Sequence, residues 1–358
     1  MRAPRLLAQC RPGFERECAQ ELSVAAGEMG VEGFVKARPD SGFAVFQAHQ
    51  EAMGAELGAH LEFARLVFPR QLVRVGEMLT DLPEADRVAP IAHAARALGD
   101  RFAALWVEMP DTNDGKALAT LARQLTPHLE RALRKAGAKV DDEEAEERLH
   151  VFLVGGRACY VGVSDVANSA PWPMGIARLR MPAGAPSRST LKLAEAFLQF
   201  LPGRTFEPGL AAVDLGASPG GWTWQLVKRG FHVIAVDNGE IDPGLLDSGQ
   251  VKHRRGDGFH FSPADPVDLM VCDMVESPSR IARLVAGWIE RGWCRECIFN
   301  LKLPMKKRWE EVQRCREIIA EALGGAGYYL RLKQLYHDRE EVTGYLARRS
   351  AARLNSNP

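Results

Sequence analysis

The spacing of apolar positions changes at a proline-rich segment near the middle of the chain. Beyond residue 190, short apolar runs alternate with stretches in which apolar side chains recur every three or four positions. The runs are typical of buried strands, and the longer spacing is typical of amphipathic helices. Alternating strands and helices predict a parallel sheet with helices on both faces, a fold that binds ligands at the carboxyl edge of its strands.

The elements predicted for this second half follow from the same pattern. In chain order they are helix 191–201, strand 210–216, helix 222–230, strand 232–237, a third strand before residue 257, strand 268–274, helix 280–293, strand 297–303, helix 305–327 and two final strands.

The first half mixes strands and helices without regular alternation. It contains no glycine-rich loop and no clustered acid–base set, so we expect no chemistry from it. An α+β region is predicted, made of strands 5–10, 41–48 and 102–110, helices 14–30, 86–100 and 114–137, and a hairpin over 148–165.

The clearest boundary lies in residues 168–190. This stretch carries Pro171, Pro173, Pro182 and Pro186, which suit an extended and fairly stiff connection. A second division is predicted inside the first half. The predicted parts are therefore 1–78, 79–167, the linker 168–190, and 191–358.

Composition limits the classes of protein to which the chain can belong. No apolar run is long enough to span a membrane, and the seven cysteines are odd in number and scattered. We therefore expect no membrane partner, no disulfide framework and a cytoplasmic location.

Because the formal net charge is zero, contact with a nucleic acid has to use local basic patches. The two candidate patches are Arg178, Arg180, Arg188 and Lys192, and Lys302, Lys306, Lys307 and Arg308.

The main chemical signal is DLGASPGGW, residues 214–222. Its three glycines allow a sharp turn and a close approach to a ligand, and Asp237 at the next strand end is placed to accept hydrogen bonds from ribose hydroxyls. A pyrophosphate is bound best by backbone N–H groups, and Pro219 lacks one. The negative charge of Asp214 would also repel the phosphates. A cationic cofactor without phosphates, S-adenosylmethionine, fits better. A tight turn in another α/β enzyme is the alternative.

Further polar side chains are predicted at the same edge of the sheet. Asp273 and Lys302 end apolar strands, and a lysine there needs an anionic partner unless it reaches solvent. Lys192 lies on the helix that leads into the sheet, and Glu341 heads a late strand. Asp257 follows the third strand, where it either reaches an adenine amino group or caps the next segment.

Together, RSTLKL, DLGASPGGW, VCDM, NLKL and REEV resemble, in the same order, the FtsJ-type family of RNA ribose 2'-O-methyltransferases, which uses a Lys-Asp-Lys-Glu tetrad. The resemblance covers residues 168–343 and is greatest to members that methylate a cytidine ribose of 23S ribosomal RNA. It implies a Rossmann-like class I methyltransferase domain at 191–358, preceded by a ferredoxin-like piece at 1–78 and a THUMP RNA-binding domain at 79–167. It further implies S-adenosylmethionine as cofactor, 23S ribosomal RNA before full subunit assembly as partner, and a monomer.

The resemblance also implies roles for individual residues. Lys302 is the proton acceptor, and Lys192, Asp273 and Glu341 complete the tetrad, with no metal needed. A ribose hydroxyl is a poor acid and needs such a base, and a lysine beside another cation in a dry pocket has its pKa lowered toward neutrality. The implied cofactor contacts are Ser189, Ser218, Pro219, Gly220, Gly221, Asp237, Asp257 and Asp273.

Other functions stay open as alternatives. They are methylation of a different RNA ribose and RNA binding without catalysis; a nicotinamide-dependent dehydrogenase is disfavoured by the 214–222 loop. Cys272 suggests base methylation, but on a strand it faces away from its neighbour Asp273. Cys294 and Cys297 without a second pair are poor zinc ligands, and we expect buried thiols. Residue chemistry alone does not fix the modified nucleotide.

Overall fold

The fold is given by a computed structural model that describes residues 4–324 and 327–349. The chain forms two compact units, which divide between Ile176 and Ala177. Each unit is built on its own seven-stranded sheet. Within the described residues, no helix combines the length and the hydropathy that crossing a membrane requires.

The first unit packs helices against a sheet of mixed strand direction, with the order β2-β3-β1-β4-β9-β8-β6 and a separate pair β5-β7. Its strands are β1 (Arg5–Gln9), β2 (Gly33–Ala37), β3 (Phe43–Ala48), β4 (Gln71–Val75), β5 (Arg101–Phe102), β6 (Leu105–Glu108), β7 (Lys139–Val140), β8 (Glu147–Gly155) and β9 (Ala158–Asp165). Its helices are α1 (Glu15–Glu28), α2 (Glu51–His60), α3 (Val88–Arg96), α4 (Asn113–Ala117) and α5 (Ala119–Lys135).

The second unit has the sheet order β12-β11-β10-β13-β14-β16-β15. Its strands are β10 (Ala211–Leu215), β11 (His232–Val236), β12 (Val251–Arg254), β13 (Val267–Cys272), β14 (Cys294–Lys302), β15 (Tyr328–Lys333) and β16 (Glu341–Arg348). Its helices are α6 (Thr190–Phe200), α7 (Gly221–Val227), α8 (Pro243–Asp247), α9 (Pro278–Glu290) and α10 (Arg308–Leu323).

The topology of the second sheet decides where a ligand can bind. Strands β10 to β14 pair in parallel, and the chain order reverses between β10 and β13. The loops that follow these strands leave from one edge of the sheet, which is where open α/β sheets bind ligands. Strand β16 runs antiparallel to β14 and starts at that edge, so that Glu341 pairs with Lys302.

The core of the second unit explains the continuous apolar runs of its strands. Side chains on both faces of β10, β13 and β14 are buried, because parallel strands joined through helices are covered on both sides. Helix α9 contributes Trp288, which is fully buried, and α6 contributes Phe197 and Phe200. The position of the edge loops is therefore fixed by a rigid, dry sheet.

The structure confirms the predicted fold class: a Rossmann-like domain follows an α+β region. The pattern missed β2, β4, β7, α2 and α8; β2 is largely exposed and α2 contains two glycines, so neither carries a clear periodic signal. The predicted strand 297–303 begins earlier, at Cys294, and the predicted helix 305–327 begins at Arg308 and ends at Leu323. Residues 325–326 of that helix lie outside the described residues.

The proline-rich stretch is shared between the two units. The side chain of Asn168 accepts a 2.8 Å hydrogen bond from the Phe63 N–H and donates a 2.9 Å bond to the Leu61 carbonyl. Gln71 bonds the backbone of Ala170 in the same way, through both atoms of its side-chain amide. The beginning of the stretch is thus attached to the first unit. The four-part division of the chain stays a prediction.

Candidate functional site

The loop between β10 and α7 turns sharply at the reversal point of the second sheet. Gly216 has a φ of 79°, and its N–H donates a 3.0 Å hydrogen bond to the Val236 carbonyl. Gly220 has a φ of 118°, in a region that side chains with a Cβ rarely adopt. A Cβ at Gly220 would lie 2.5 Å from Cδ1 of Leu245. The two glycines are therefore required by the turn itself.

Asp237, directly after β11, holds this loop against the neighbouring strand end. Its carboxylate accepts hydrogen bonds from the N–H groups of Ser218, at 3.1 Å, and Gly239, at 2.7 Å. Because a carboxylate has about four lone-pair positions, Asp237 can also accept bonds from a ligand diol. Pro219, which follows a cis peptide bond, is exposed on the same loop. The structure thus brings three of the predicted cofactor residues together.

The start of α6 lies against the start of α7. The Ser189 carbonyl accepts a 3.1 Å hydrogen bond from Nε1 of Trp222, and the Ser189 and Ser187 hydroxyls are 2.6 Å apart. A Cβ on Gly221 would lie 2.2 Å from Oγ of Ser189. The close approach of these two predicted cofactor residues therefore depends on the missing side chain of Gly221.

Asp214 is fully buried in β10, beneath the glycine loop. Its Oδ2 accepts a 2.6 Å hydrogen bond from the Thr223 hydroxyl, while Oδ1 has no donor within the described residues. Burial raises the pKa of Asp214 to about 7 against the lowering effect of Thr223, and the charge of Asp273 raises it further. A buried carboxylate with an unsatisfied oxygen favours a cation, so the site fits the ammonium and sulfonium of S-adenosylmethionine.

Asp257 lies exposed after β12. Of the two roles predicted for it, capping of the next segment and contact with adenine, the structure shows the capping contact. Its Oδ1 accepts a 2.9 Å hydrogen bond from the Phe259 N–H, and its Oδ2 lies 2.9 Å from Nδ1 of His260. The Phe259 bond is the main reason why the pKa of Asp257 lies below its ordinary value. A contact with adenine stays a prediction.

The four tetrad side chains come together in a closed ring of alternating charge. Nζ of Lys302 contacts Oδ1 of Asp273 and lies 3.1 Å from Oε1 of Glu341. Nζ of Lys192 lies 2.5 Å from Oε2 of Glu341 and 3.7 Å from Oδ2 of Asp273. The four side chains are 14% to 20% exposed, so the ring is shielded from water but accessible to a substrate.

The ring determines the pKa of Lys302. Burial lowers this pKa, but Asp273 and Glu341 raise it more strongly, so that it ends above its ordinary value. The predicted shift of the Lys302 pKa toward neutrality is therefore wrong. The neighbouring cation, Lys192, has less influence than two carboxylates that contact the Lys302 ammonium directly. Lys302 thus holds a proton at neutral pH until the charge around it changes.

Asn300 is a polar residue of the site that the sequence did not single out. It is fully buried, and its Nδ2 donates to Oδ1 of Asp273 at 2.9 Å and to Oε2 of Glu341 at 3.1 Å. Its Oδ1 accepts a 2.7 Å bond from the hydroxyl of Thr343. The spacing along β14 could have identified Asn300, because a residue two positions before Lys302 shares the same face of the strand.

The cysteines near the site are buried and free, as predicted for Cys294 and Cys297. Burial raises the pKa of the Cys272 thiol to about 12, which leaves almost no thiolate for nucleophilic base methylation. Both Cys294 and Cys297 lie on β14, inside the sheet. Over residues 4–324 and 327–349, no three His, Cys, Asp or Glu side chains are grouped so that they could hold a metal ion.

The loops beside the ring present cationic and apolar side chains to solvent. Arg308 is half-buried and donates a 2.6 Å hydrogen bond to Glu340. Met305 after β14 is 89% exposed, and Val275 after β13 is 92% exposed. The remaining basic residues of the two predicted patches, apart from the tetrad lysines, are exposed: Arg178, Arg180, Arg188, Lys306 and Lys307.

Comparison with known protein families gives three matches along the chain. The RlmM ferredoxin-like domain matches residues 3–73, and the N-terminal domain of ribosomal RNA large subunit methyltransferase M matches residues 86–165. The FtsJ-like methyltransferase matches residues 185–286, which include the glycine loop and Asp273. The third match confirms that the second unit is a methyltransferase, and S-adenosylmethionine is the cofactor.

Curated relatives align over nearly the whole chain. The ribosomal RNA large subunit methyltransferase M of Methylococcus capsulatus is 51% identical and covers 95% of this chain and 97% of its own. The proteins of the same name from Cellvibrio japonicus and Aromatoleum aromaticum are each 49% identical, with coverages of 95% and 97% of this chain and 98% and 96% of their own. A solved putative methyltransferase complexed with SAH aligns over 96% of this chain and 97% of its own at 10% identity, with a TM-score of 0.35. The chain therefore belongs to the ribosomal RNA large subunit methyltransferase M family.

Proposed function

We propose that this protein methylates the 2'-oxygen of a cytidine ribose in 23S ribosomal RNA, with Lys302 as the proton acceptor. The observation that carries the proposal is the alternating ring of two lysines and two carboxylates at the carboxyl edge of the second sheet. Such a ring can hold and move a proton in a partly dry site. S-adenosylmethionine, when bound, supplies the methyl group.

The tetrad residues have separate tasks in this proposal. Lys302, as the neutral amine, accepts the proton of the 2'-hydroxyl while the oxygen attacks the methyl carbon, since a ribose hydroxyl is otherwise a poor nucleophile. Asp273 and Glu341 fix the direction of the Lys302 ammonium, and Lys192 balances the charge of Glu341. Much of the rate enhancement then comes from alignment of the attacking oxygen with the methyl carbon.

The pKa of Lys302 makes the proton transfer testable. This pKa lies above its ordinary value, so the neutral amine is scarce at pH 7. A second cation at the site lowers the pKa of the lysine. If Lys302 accepts the proton, the rate at saturating substrates rises with pH, and the midpoint of that rise reports the pKa of Lys302 in the complex.

The proposed cofactor contacts are the predicted set: Ser189, Ser218, Pro219, Gly220, Gly221, Asp237, Asp257 and Asp273. Asp237 would accept hydrogen bonds from the ribose hydroxyls of the cofactor, because it follows the strand next to the glycine loop. Asp214, which the predicted contacts do not include, would balance the cationic end of the cofactor.

The RNA substrate is supported by the relatives, which are named as large subunit ribosomal RNA methyltransferases, and by the exposed side chains near the ring. We propose that the RNA backbone binds the exposed arginines and lysines, and that the first unit, with a THUMP-type part at 79–167, adds binding energy without chemistry. Action before full subunit assembly, a monomeric state and a cytoplasmic location complete the proposal.

The test uses purified protein, S-adenosylmethionine and 23S ribosomal RNA from cells that lack the gene. Digestion to nucleosides and mass spectrometry should find one additional 2'-O-methylcytidine. Mapping by nuclease protection then locates it. The Lys302→Ala variant serves as the control, since it should bind the cofactor and leave the RNA unmodified.

The alternatives give different products. A methyl group on the base contradicts the ribose chemistry, and a 2'-O-methyl group on another nucleoside, or only on transfer RNA, contradicts the substrate. RNA binding without any methyl transfer by the native protein indicates the non-catalytic alternative. A rate that stays flat between pH 6 and pH 9, if chemistry is rate-limiting, contradicts Lys302 as the base.

A further inference from the structure

We propose that Asn300 is a positioning residue for methyl transfer, held in place by Thr343 and Asp338 beneath the charged ring. This inference rests on the proposed function, because it assigns the residue that fixes both carboxylates of the tetrad. Asn300 touches neither substrate nor cofactor in this proposal. It acts through Asp273 and Glu341 on the direction of the Lys302 ammonium.

The strand register places Asn300 directly below the ring. In the antiparallel pair β14–β16, Lys302 is opposite Glu341, and Asn300 is opposite Thr343. Residues two apart on a strand share a face, so the Asn300–Thr343 pair lies one step deeper on the same face. Both residues are fully buried, in contrast to the ring above them.

The hydrogen bonds of Asn300 have only one consistent direction. Ionised Asp273 and Glu341 can only accept, so the two protons of the Asn300 Nδ2 must point to them, at 2.9 Å and 3.1 Å. The Asn300 Oδ1 then has to accept, and the Thr343 hydroxyl donates to it across 2.7 Å. The amide thereby connects both carboxylates of the ring through a single rigid plane.

Asp338 extends the chain of hydrogen bonds. Its Oδ1 and Oδ2 lie 3.1 Å and 2.9 Å from the Thr343 hydroxyl, which has only one proton and already donates it to Asn300. For Thr343 to be bonded to both residues, Asp338 must itself carry a proton and donate it to Thr343 from Oδ1, since Oδ2 accepts a 3.0 Å hydrogen bond from the Leu335 N–H. This state agrees with its environment: burial and the charge of Glu341 raise the pKa of Asp338 well above its ordinary value.

The direction of these bonds has a mechanical consequence. A neutral acid, a hydroxyl and an amide follow one another, and each donates toward the ring, so the bonds strengthen one another. The carboxylates of Asp273 and Glu341 are then fixed from below by Asn300 and from the side by the two lysines. Without Asn300, both carboxylates would be held by the lysines alone, and the direction of the Lys302 ammonium would be less well defined.

The first experiment compares Thr343→Val with Thr343→Ser in the full chain. Valine keeps the branched shape but removes the hydroxyl, while serine keeps the hydroxyl and loses the methyl group. We expect kcat on its high-pH plateau, where Lys302 has lost its proton in each variant, to fall by about tenfold in Thr343→Val relative to Thr343→Ser, as for the loss of one hydrogen bond, with KM for cofactor and RNA unchanged. If packing alone mattered, serine would be the worse variant, and that order would overturn the proposal.

The second experiment removes the amide with Asn300→Leu. Two bonds to charged acceptors are lost, and we expect a decrease in kcat of about 100-fold with unchanged cofactor affinity in calorimetry. A kcat within twofold of the native value would overturn the proposal. If this variant does not fold, the Thr343 pair decides the question.

A third measurement does not depend on activity. Competitive acylation followed by mass spectrometry reports the pKa of the Lys302 amine in the native chain and in Thr343→Val. Looser carboxylates hold the Lys302 ammonium less strongly, so its pKa should fall in the variant, and the acylation of the exposed Lys306 serves as the internal reference. An unchanged Lys302 pKa contradicts the positioning role. Failure of the proposed function is distinguishable, because the native protein would then transfer no methyl group.

Discussion

Both units contain a cluster of acid and base side chains, but the two clusters differ in access. In the first unit, the imidazole of His150 lies 2.7 Å from Oε2 of Glu108 and 2.8 Å from the hydroxyl of Ser164. These side chains are at most 2% exposed. In the second unit, the tetrad residues are 14% to 20% exposed at the edge of the sheet.

The difference shows that contact between a carboxylate, a base and a hydroxyl does not make an active site. Glu108 also accepts hydrogen bonds from Nε2 of Gln9 and from the Met174 N–H, so its oxygens are occupied by the fold. The tetrad lies instead beside a glycine loop and a buried carboxylate that has an unsatisfied oxygen. Access and an unsatisfied buried carboxylate oxygen distinguish the tetrad, for which we propose a catalytic role, from the cluster of the first unit.

The largest effect is expected for Lys302. Lys302→Ala should reduce methyl transfer by roughly 10²–10⁴-fold, the usual range for a positioned acid–base group, with cofactor affinity little changed. Lys302→Arg should be almost as inactive, because a guanidinium stays charged and cannot accept the proton. Single-turnover kinetics with 23S ribosomal RNA measures both. Near-native turnover of the arginine variant would make Lys302 an electrostatic clamp and direct attention to Lys192.

The opposite result is expected for Glu108. Glu108→Ala removes an acceptor that three buried groups share, those of Gln9, His150 and Met174, and should lower the free energy of unfolding by about 3–5 kcal/mol. The kcat of the folded protein should not change. Hydrogen exchange of the β8 amides separates the stability of the first unit from that of the second. A loss of kcat at full stability would contradict a structural role.

An intermediate effect is expected for Asp214. Its folded pKa of about 7 is raised above that of an exposed carboxyl, so burial of the charge destabilises the protein increasingly as pH rises from 4 to 7. Asp214→Asn removes this cost. We expect its gain in unfolding free energy to be roughly 2–3 kcal/mol larger at pH 8 than at pH 5.

The same Asp214→Asn variant should bind S-adenosylmethionine more weakly at pH 8, because the buried charge opposite the cation is gone. Denaturant titrations at the two pH values and calorimetry at pH 8 measure the two effects. If the gain in unfolding free energy does not depend on pH, the pKa of Asp214 is not raised by folding.

The smallest effect is expected for exposed cations beside the ring. Lys306→Gln should raise KM for RNA about threefold and lower the salt dependence of RNA binding by about one counterion, since one phosphate contact is lost. The kcat and stability should be unchanged. An unaltered salt dependence would remove Lys306 from the RNA-binding surface.

The sequence was sufficient for the features that depend on local order. The continuous apolar runs of β10, β11 and β13 predicted the parallel sheet, and the spacing of DLGASPGGW and Asp237 predicted the loop and its acid. The weak edge strand β2 was missed, because its half-exposed residues carry little periodic signal. Where a pattern is enforced by burial along one element, it can be recognised without the tertiary structure.

The sequence by itself determined the fold class and the glycine loop, since both are recorded in the spacing of residue types along the chain, and its resemblance to the FtsJ-type family implied the four residues of the tetrad. Only the tertiary structure decided that the pKa of Lys302 is raised, that Asp214 has an unsatisfied oxygen, and that Asn300 connects two carboxylates. A pKa and a hydrogen bond depend on distances of a few ångströms between groups far apart in the chain. Those distances are set by strand register and burial, and no local pattern contains them.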